Sequence, residues 1–189
     1  MVENRKYHLT DSGISLEQSK VEAAKKNPAL FADLYDKYFE PLFRYIYQRL
    51  DDKEQAFDTT QQVFLVAMNN LKKYEYRGLP FSSWLFRIAK SELSNLYRND
   101  KANKTVNIDS IKIYDIIEEI QESRIDTYHD KVVDIISKEL NEDDLQLIEM
   151  RFFENRSFKE MGEILEITEN NAKVKTYRVL DKLRTYFKK

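Results

Sequence analysis

The final twenty residues of the chain combine a high density of positive charge with helical spacing. Seven of residues 170–189 are basic and one, Asp181, is acidic, although the whole protein has a formal net charge of −2. Lysine and arginine side chains at this density bind phosphate oxygens through charge and hydrogen bonds. An isolated basic helix is as easily explained as a solvated surface. The neighbouring elements therefore have to distinguish between these two interpretations.

The segment before this basic stretch predicts a helix that ends in a three-residue break. Ser157 and Glu160 form a capping box at its start. Residues 166–168 interrupt the pattern, and Thr168 is placed to cap the final helix. A helix, a short turn and a second helix make a helix-turn-helix, whose second helix enters the major groove of DNA. The pattern favours DNA binding over its alternative, a four-helix bundle with a lysine-rich outer face.

The final helix separates into an apolar face and a face suited to nucleic acid. The apolar side is formed by Ala172, Thr176, Val179, Leu180 and Leu183. The opposite side mixes amide, basic and small apolar groups, which match base edges, phosphates and thymine methyl groups respectively. The candidate DNA contacts on this helix are Asn171, Lys173, Val174, Lys175, Arg178 and Lys182.

The composition predicts an all-α protein without a catalytic centre. Three glycines and three prolines in 189 residues are too few for the turns of a β architecture. The chain has no cysteine, and its two histidines, His8 and His129, are far apart and lack a metal-ligand spacing. No glycine-rich phosphate loop is present. We therefore predict no enzyme activity, no cofactor and no metal site.

The charge pattern divides the chain into two small helical domains and an acidic linker. Residues 107–130 hold seven acids and two bases, with little periodicity. We predict a first domain over residues 16–100, a linker over 101–127 and a second, helix-turn-helix domain over 128–189. No apolar run is long enough to span a bilayer or to form a signal segment. The absence of cysteine suits a reducing compartment, so we predict a soluble cytoplasmic protein.

The first domain begins with three predicted helices, and the third has an unusual outer face. Residues 16–50 read as two helices that are broken at Asn27-Pro28, and a third helix follows Asp51-Asp52 and runs to about Lys73. At 100° per residue, Leu65 falls on the outer side of this helix, among polar neighbours. The predicted inner stripe is Thr60, Val63, Phe64, Ala67 and Leu71, and the outer side holds Asp58, Gln62, Leu65 and Asn69.

An aromatic connection and a fourth helix complete the first domain. We expect Phe81 and Trp84 in this connection to be largely core, and Ser82 or Ser83 to cap the fourth helix. The inward residues of that helix are Leu85, Ile88, Ala89, Leu93 and Leu96, and its other face carries Arg87, Lys90, Ser91, Ser94, Asn95 and Arg98.

Taken in order, four segments resemble the extracytoplasmic-function (group 4) RNA polymerase sigma factors of the sigma-70 family. Those in the first domain are FADLYDKYFEPLFRYI, AFDTTQQVFLVAM and LPFSSWLFRIAKSELSNLYR. The fourth runs from Leu140 to Arg184 and contains the predicted helix-turn-helix. The resemblance covers about residues 17–100 and 130–187. It implies a bacterial initiation factor that docks on core RNA polymerase, carries it to specific promoters and helps to open the duplex.

The resemblance also implies which residues make the contacts. Asp58, Gln61 and Gln62, with Leu65 one turn later, correspond to the helix that binds the clamp coiled coil of the largest polymerase subunit. The final helix corresponds to the reader of the minus-thirty-five element, in a domain that meets the flap of the second-largest subunit. The residues implied at the minus-ten element are Tyr76, Arg87, Lys90, Ser91, Asn95 and Arg98.

Further partners and departures follow from the same resemblance. It implies an anti-sigma factor, often membrane-bound in this family, and a monomer when the protein is free. Gln62 replaces the usual glutamate of the clamp motif, Glu166 replaces the glycine of the helix-turn-helix turn, and residues 170–175 differ from the usual reading-helix start. Two alternatives stay open: a one-component helix-turn-helix regulator that acts without core polymerase, and a protein-interaction adaptor that binds no nucleic acid.

Overall fold

The computed structural model describes residues 11–50, 52–100 and 140–187. Within these residues every regular element is helical and no strand occurs, which confirms the predicted all-α class. Three short turns accompany the helices: 3-10 turns at Pro28–Phe31 and Leu71–Lys73, and a π-helical turn at Glu149–Phe153. The helices are α1 (Asp11–Lys26), α2 (Ala32–Leu50), α3 (Lys53–Asn70), α4 (Phe81–Asp100), α5 (Glu142–Ile148), α6 (Phe158–Leu165) and α7 (Glu169–Phe187).

The chain divides into two compact units, Met1–Asn107 and Ile108–Lys189. The first unit contains α1 to α4, and the second contains α5 to α7. The division falls inside the stretch 101–127 that the sequence predicts as a linker. The linker itself lies outside the described residues, so the domain bounds 16–100 and 128–189 stay a prediction.

The break between the first two helices lies where the sequence predicts it. The side-chain oxygen of Asn27 accepts a hydrogen bond from the N–H of Ala29 at 3.1 Å. Pro28 occupies the first position of the 3-10 turn, where its missing N–H leaves no helical hydrogen bond unmade. This turn redirects the chain from α1 into α2.

The core of the first unit follows the predicted periodicity closely. The five residues of the predicted inner stripe of α3 are all buried, and so are the predicted inward residues of α2 apart from half-buried Tyr35. On α4, Ile88 and Leu96 are half-buried rather than buried. Their place is taken by Phe86, whose ring lies 5.0 Å from that of Tyr45. Sequence periodicity missed Phe86 because it lies beside the predicted stripe.

The predicted cap of α4 is wrong. Ser82 and Ser83 lie inside the first turn of the helix and are buried, because α4 already begins at Phe81. The N–H of Phe81 instead donates to Oε2 of Glu17 in α1 at 2.8 Å. The acceptor comes from a residue 64 positions earlier, so no pattern local to α4 could indicate it.

The predicted caps of the second unit are all confirmed. Asn141 accepts from the N–H of Asp144 at 2.8 Å, and Thr168 accepts from the N–H of Asn171 at 3.2 Å. Ser157 and Glu160 form the reciprocal capping box. The helix that begins at Glu142 is shorter than predicted, because it passes into the π-helical turn at Glu149.

Candidate nucleic-acid and protein interfaces

A tight backbone turn sets the position of α7 against α6. Glu166 ends α6 in the left-handed conformation, with φ at 57° and ψ at 40°. The N–H of Ile167 then donates to the carbonyl of Gly162 at 2.9 Å. A Cβ at Gly162 would lie 2.8 Å from the carbonyl oxygen of Ile167, which is closer than such atoms approach. Glycine at this position therefore permits the close turn that makes a helix-turn-helix.

The inner face of α7 packs in the second unit as predicted. Ala172, Thr176, Val179, Leu180 and Leu183 are all buried. The buried hydroxyl of Thr176 donates to the carbonyl of Ala172 at 2.9 Å, which satisfies it within the helix. Because this phase is fixed, the residues on the opposite side of α7 must face away from the core of the second unit.

Most of the predicted DNA contacts on α7 lie on this outward side. Lys173, Lys175 and Arg178 are exposed, and none of them forms an ion pair with any residue that the structure describes. Asn171 and Val174 are exposed beside them. The arrangement leaves three cations, an amide and a small apolar group available to one partner.

Lys182 differs from the other predicted contacts on α7. It is half-buried, and its Nζ lies 3.3 Å from Oδ2 of Asp144 in α5. This ion pair joins the first and last helices of the second unit. The side chain therefore has a structural partner within the unit.

An aromatic side chain that the sequence analysis missed lies next to the outer face of α7. Tyr177 is exposed and follows Val174 by three residues, so the two are neighbours on the helix surface. Its ring lies 6.2 Å from that of Phe158, over which the Arg151 guanidinium sits at 4.8 Å. The helical spacing that identified Val174 would also have found Tyr177.

The outer face of α3 is exposed and partly apolar. Asp58, Gln61, Gln62 and Leu65 are all exposed, and Leu65 presents 55% of its surface to solvent. The sequence analysis missed Phe57 and Met68, which are also exposed on this helix. At 100° per residue these two side chains lie within about 20° of one another, on either side of Gln61. We call Phe57, Asp58, Gln61, Gln62, Leu65 and Met68 the α3 outer face.

The segment between α3 and α4 has a buried base and an exposed tip. Phe81 and Tyr74 are buried and Trp84 is half-buried, so the prediction of core packing is confirmed for Phe81 and half met for Trp84. Their rings form a cluster with centroids 5.0–5.4 Å apart. Tyr76, in contrast, exposes 45% of its surface. An exposed aromatic ring beside a fixed aromatic cluster can stack with a planar partner.

The predicted contacts on α4 form a mixed basic and polar surface. Ser91 and Arg98 are exposed, whereas Arg87, Lys90 and Asn95 are half-buried. A guanidinium nitrogen of Arg98 donates to the side-chain oxygen of Asn95. This contact occupies the oxygen of the amide and leaves its NH₂ group as the outward donor.

Two family models match the chain, and together they cover more than half of it. "Sigma-70 region 2" matches residues 34–103, and "Sigma-70, region 4" matches residues 138–185. The chain belongs to the sigma-70 family of RNA polymerase sigma factors. Sigma factors give RNA polymerase its promoter specificity at initiation. The α3 outer face and the surface of α4 fall within region 2, and α7 falls within region 4, whereas α1 precedes both matches.

Relatives of the chain include proteins described as ECF RNA polymerase sigma factors. BldN of Streptomyces coelicolor is 25% identical over 172 residues, which cover 90% of this chain and 65% of that protein. The chain thus spans slightly less than two thirds of the length of this relative. SigX of Bacillus subtilis is 24% identical over 163 residues, with 82% of each chain covered.

A solved structure has the same fold. CnrH, in complex with the cytosolic domain of CnrY, matches with a TM-score of 0.59 at 16% sequence identity. The match covers 91% of this chain and 97% of CnrH. At this identity the likeness concerns the fold alone.

Membrane-spanning and metal-binding features are absent from the part of the chain that the structure describes. In residues 11–50, 52–100 and 140–187, no helix has the length and apolar character needed to cross a bilayer. The same residues contain no group of three or more acidic or histidine side chains placed to hold a metal ion. Both histidines of the chain, His8 and His129, lie outside them.

Proposed function

We propose that this protein is an extracytoplasmic-function, group 4, sigma factor that binds core RNA polymerase and directs it to specific promoters. It recognises and helps to melt the minus-ten element and reads the minus-thirty-five element. The observation that carries this proposal is the exposure of three unlike surfaces, in family order, on two compact units. The protein acts in the cytoplasm and contributes binding and positioning rather than catalysis.

The α3 outer face is suited to a protein partner rather than to nucleic acid. Leu65, Phe57 and Met68 expose apolar surface, and removing such surface from water favours association. Asp58 supplies the acidic rim, and Gln62 supplies hydrogen bonds where relatives have a charge. We assign this face to the clamp coiled coil of the largest polymerase subunit. With glutamine at position 62, apolar burial contributes more to docking than ion pairing does.

The α3–α4 segment and α4 are suited to single-stranded DNA at the minus-ten element. Tyr76 offers an exposed ring on which an unstacked base can stack. Lys90, Arg87 and Arg98 offer cations to the phosphates, and Ser91 and the NH₂ group of Asn95 offer hydrogen bonds to base edges. Stacking and charge of this kind hold a melted strand, which is what promoter opening requires.

The outer face of α7 is suited to the major groove at the minus-thirty-five element. Lys175 and Arg178 point away from the core, as do Asn171, Lys173 and Val174. Arginine reads guanine, an asparagine amide reads adenine, and a small apolar group meets the thymine methyl. We assign the second unit to this element and to the flap of the second-largest polymerase subunit. Lys182 then serves the packing of α5 against α7 in addition to any phosphate contact.

An anti-sigma factor is the regulatory partner that we propose. CnrH has this fold and was solved with the cytosolic domain of CnrY. A cytosolic domain implies a partner with a further part elsewhere, as expected of a membrane-bound regulator. Binding of such a partner would compete with core polymerase for the free monomer.

Selection from a random pool of duplex DNA tests the proposed function for any promoter sequence. The pool is incubated with the protein alone, with core polymerase alone and with both, and the retained DNA is sequenced. The proposal expects two elements at a constant separation, enriched only when protein and core polymerase are combined. Enrichment by the protein alone identifies a one-component regulator. The absence of enrichment in every arm identifies an adaptor.

A further inference from the structure

Helix α1 contacts both ends of the segment that joins α3 to α4, although it precedes the region 2 match at residues 34–103. Lys25 meets the start of the segment and Glu17 meets its end. We propose that α1 is a positioning element for the minus-ten surface, in which Glu17 and Lys25 act as positioning residues for Tyr76. This inference rests on the proposed function, because it assigns α1 to a surface proposed to bind promoter DNA.

Glu17 fixes the end of the segment from a buried position. Its side chain is 4% exposed, which is rare for a carboxylate without partners. Oε2 accepts from the N–H of Phe81 at 2.8 Å. Oε1 accepts from Nζ of Lys37 at 2.6 Å and from the hydroxyl of Tyr38. A negative group at the N-terminus of α4 also complements the helix dipole, so Glu17 determines where α4 begins.

Lys25 fixes the start of the segment from a position two turns further along α1. Its Nζ donates to the carbonyl oxygen of Tyr74 at 2.8 Å and also lies 2.8 Å from Oε1 of Glu22. The same ammonium lies 5.5 Å from the centre of the Tyr74 ring, within the range of a cation–π contact. One side chain therefore holds both the backbone and the ring of Tyr74.

The residues between these two contacts form a loop whose ends meet. Tyr74 and Phe81 touch each other through their rings at 5.2 Å, so the segment leaves and returns to one place. Gly78 takes a positive φ of 70° between them, and Tyr76 lies exposed before it. With both ends held, Tyr76 is presented in a restricted set of positions, which lowers the entropy cost of ordering it on a base.

Two substitutions test the tethers, and a third on the same helix serves as the control. Lys25→Met keeps the apolar stem over Tyr74 but removes the ammonium. Glu17→Gln keeps the shape but removes the charge. Lys20→Met makes the same charge change as Lys25→Met at an exposed ion pair with Asp33, 3.1 Å long and away from the segment.

The main measurement is the affinity of each reconstituted holoenzyme for single-stranded DNA that carries the selected minus-ten element. We expect about tenfold weaker binding for Lys25→Met and Glu17→Gln, which corresponds to about 1.4 kcal/mol, and unchanged binding for Lys20→Met. Trp84 is the only tryptophan of the chain and packs on Tyr74 at 5.0 Å, so its emission should change with the first two variants alone. Affinity for core polymerase and binding of minus-thirty-five duplex should stay unchanged.

The outcomes separate this inference from the proposed function. Wild-type holoenzyme that ignores the minus-ten strand overturns the proposed function and the inference together. Wild-type binding that Lys25→Met and Glu17→Gln both retain in full overturns the inference alone. Should Glu17→Gln fail to fold, the partly exposed Lys25 decides, because loss of core polymerase affinity in Lys25→Met would assign α1 a merely structural role.

Discussion

The two units of the protein position their exposed surfaces by different means. In the second unit, α7 is set by a turn between Gly162 and Thr168, within seven consecutive residues. In the first unit, the α3–α4 segment is set by Glu17 and Lys25, through contacts that span 64 and 49 residues. A surface positioned by a local turn can be recognised from a short stretch of sequence. A surface positioned by a distant helix becomes visible only in the folded unit.

The largest expected effect concerns the α3 outer face, which depends on neither kind of positioning. Leu65→Asp should abolish assembly with core polymerase, because docking would desolvate an unpaired carboxylate. It should leave the free energy of unfolding within about 0.5 kcal/mol of wild type, since the side chain is exposed. Polymerase pull-down and a melting curve on the same variant measure both.

Leu16→Asp is the matched control for this prediction. Leu16 is 65% exposed on α1, so the identical change there should leave polymerase binding intact. Loss of folding in Leu65→Asp would place Leu65 in the core. Normal folding with normal assembly would remove the α3 outer face from the docking surface.

The next effect tests whether the turn alone positions α7. Gly162→Ala should destabilise the second unit by about 1–3 kcal/mol, since the new Cβ meets backbone that has little room to move. Hydrogen exchange should become faster at the amides of α6 and α7 and should be unchanged at those of α2. Equal acceleration in both units would mean that their stabilities are coupled, and no acceleration at all would mean that the turn can relax.

A third prediction separates base contacts from phosphate contacts on α7. Lys175→Ala and Arg178→Ala should weaken minus-thirty-five binding by holoenzyme without changing stability. Loss of a base contact costs about 1–3 kcal/mol and relaxes specificity, whereas loss of a phosphate contact weakens all sequences alike and reduces the salt slope. Arg184→Ala is the control, since Arg184 lies half a turn around the helix from Lys175 and pairs with Asp181 at 2.7 Å. Unchanged footprints in both test variants would reject this face.

The smallest effect concerns backbone strain in the same turn. Glu166 is held at a positive φ of 57°, which costs a residue with a Cβ about 1–2 kcal/mol. Glu166→Gly removes that strain but adds freedom to the unfolded chain, so we expect a net stabilisation of about 0.5–1 kcal/mol. Asn155 also has a positive φ, of 52°, yet asparagine tolerates it. Asn155→Gly should therefore gain less in the same urea titration, and an equal gain would show that Glu166 is not specially strained.

The contrast between the units also explains what the sequence could predict. Capping at Asn141, Ser157 and Thr168 was predictable because each cap and its partner lie within three residues. Leu65 was placed correctly because helical phase depends on spacing alone. The cap of α4 was predicted wrongly because its acceptor, Glu17, belongs to another helix. Phe57 and Met68 were missed although the same spacing contained them, and the roles of the predicted contact residues stay predictions.

Run-off transcription from the DNA that the holoenzyme selects tests the central claim most directly. Core polymerase with this protein should produce a transcript of defined length from a template carrying both selected elements. Scrambling either element should remove most of that transcript, because each unit reads its own element. Equal transcription from the intact and doubly scrambled templates, or none above core polymerase alone, would contradict the claim that the protein is a promoter-specific initiation factor.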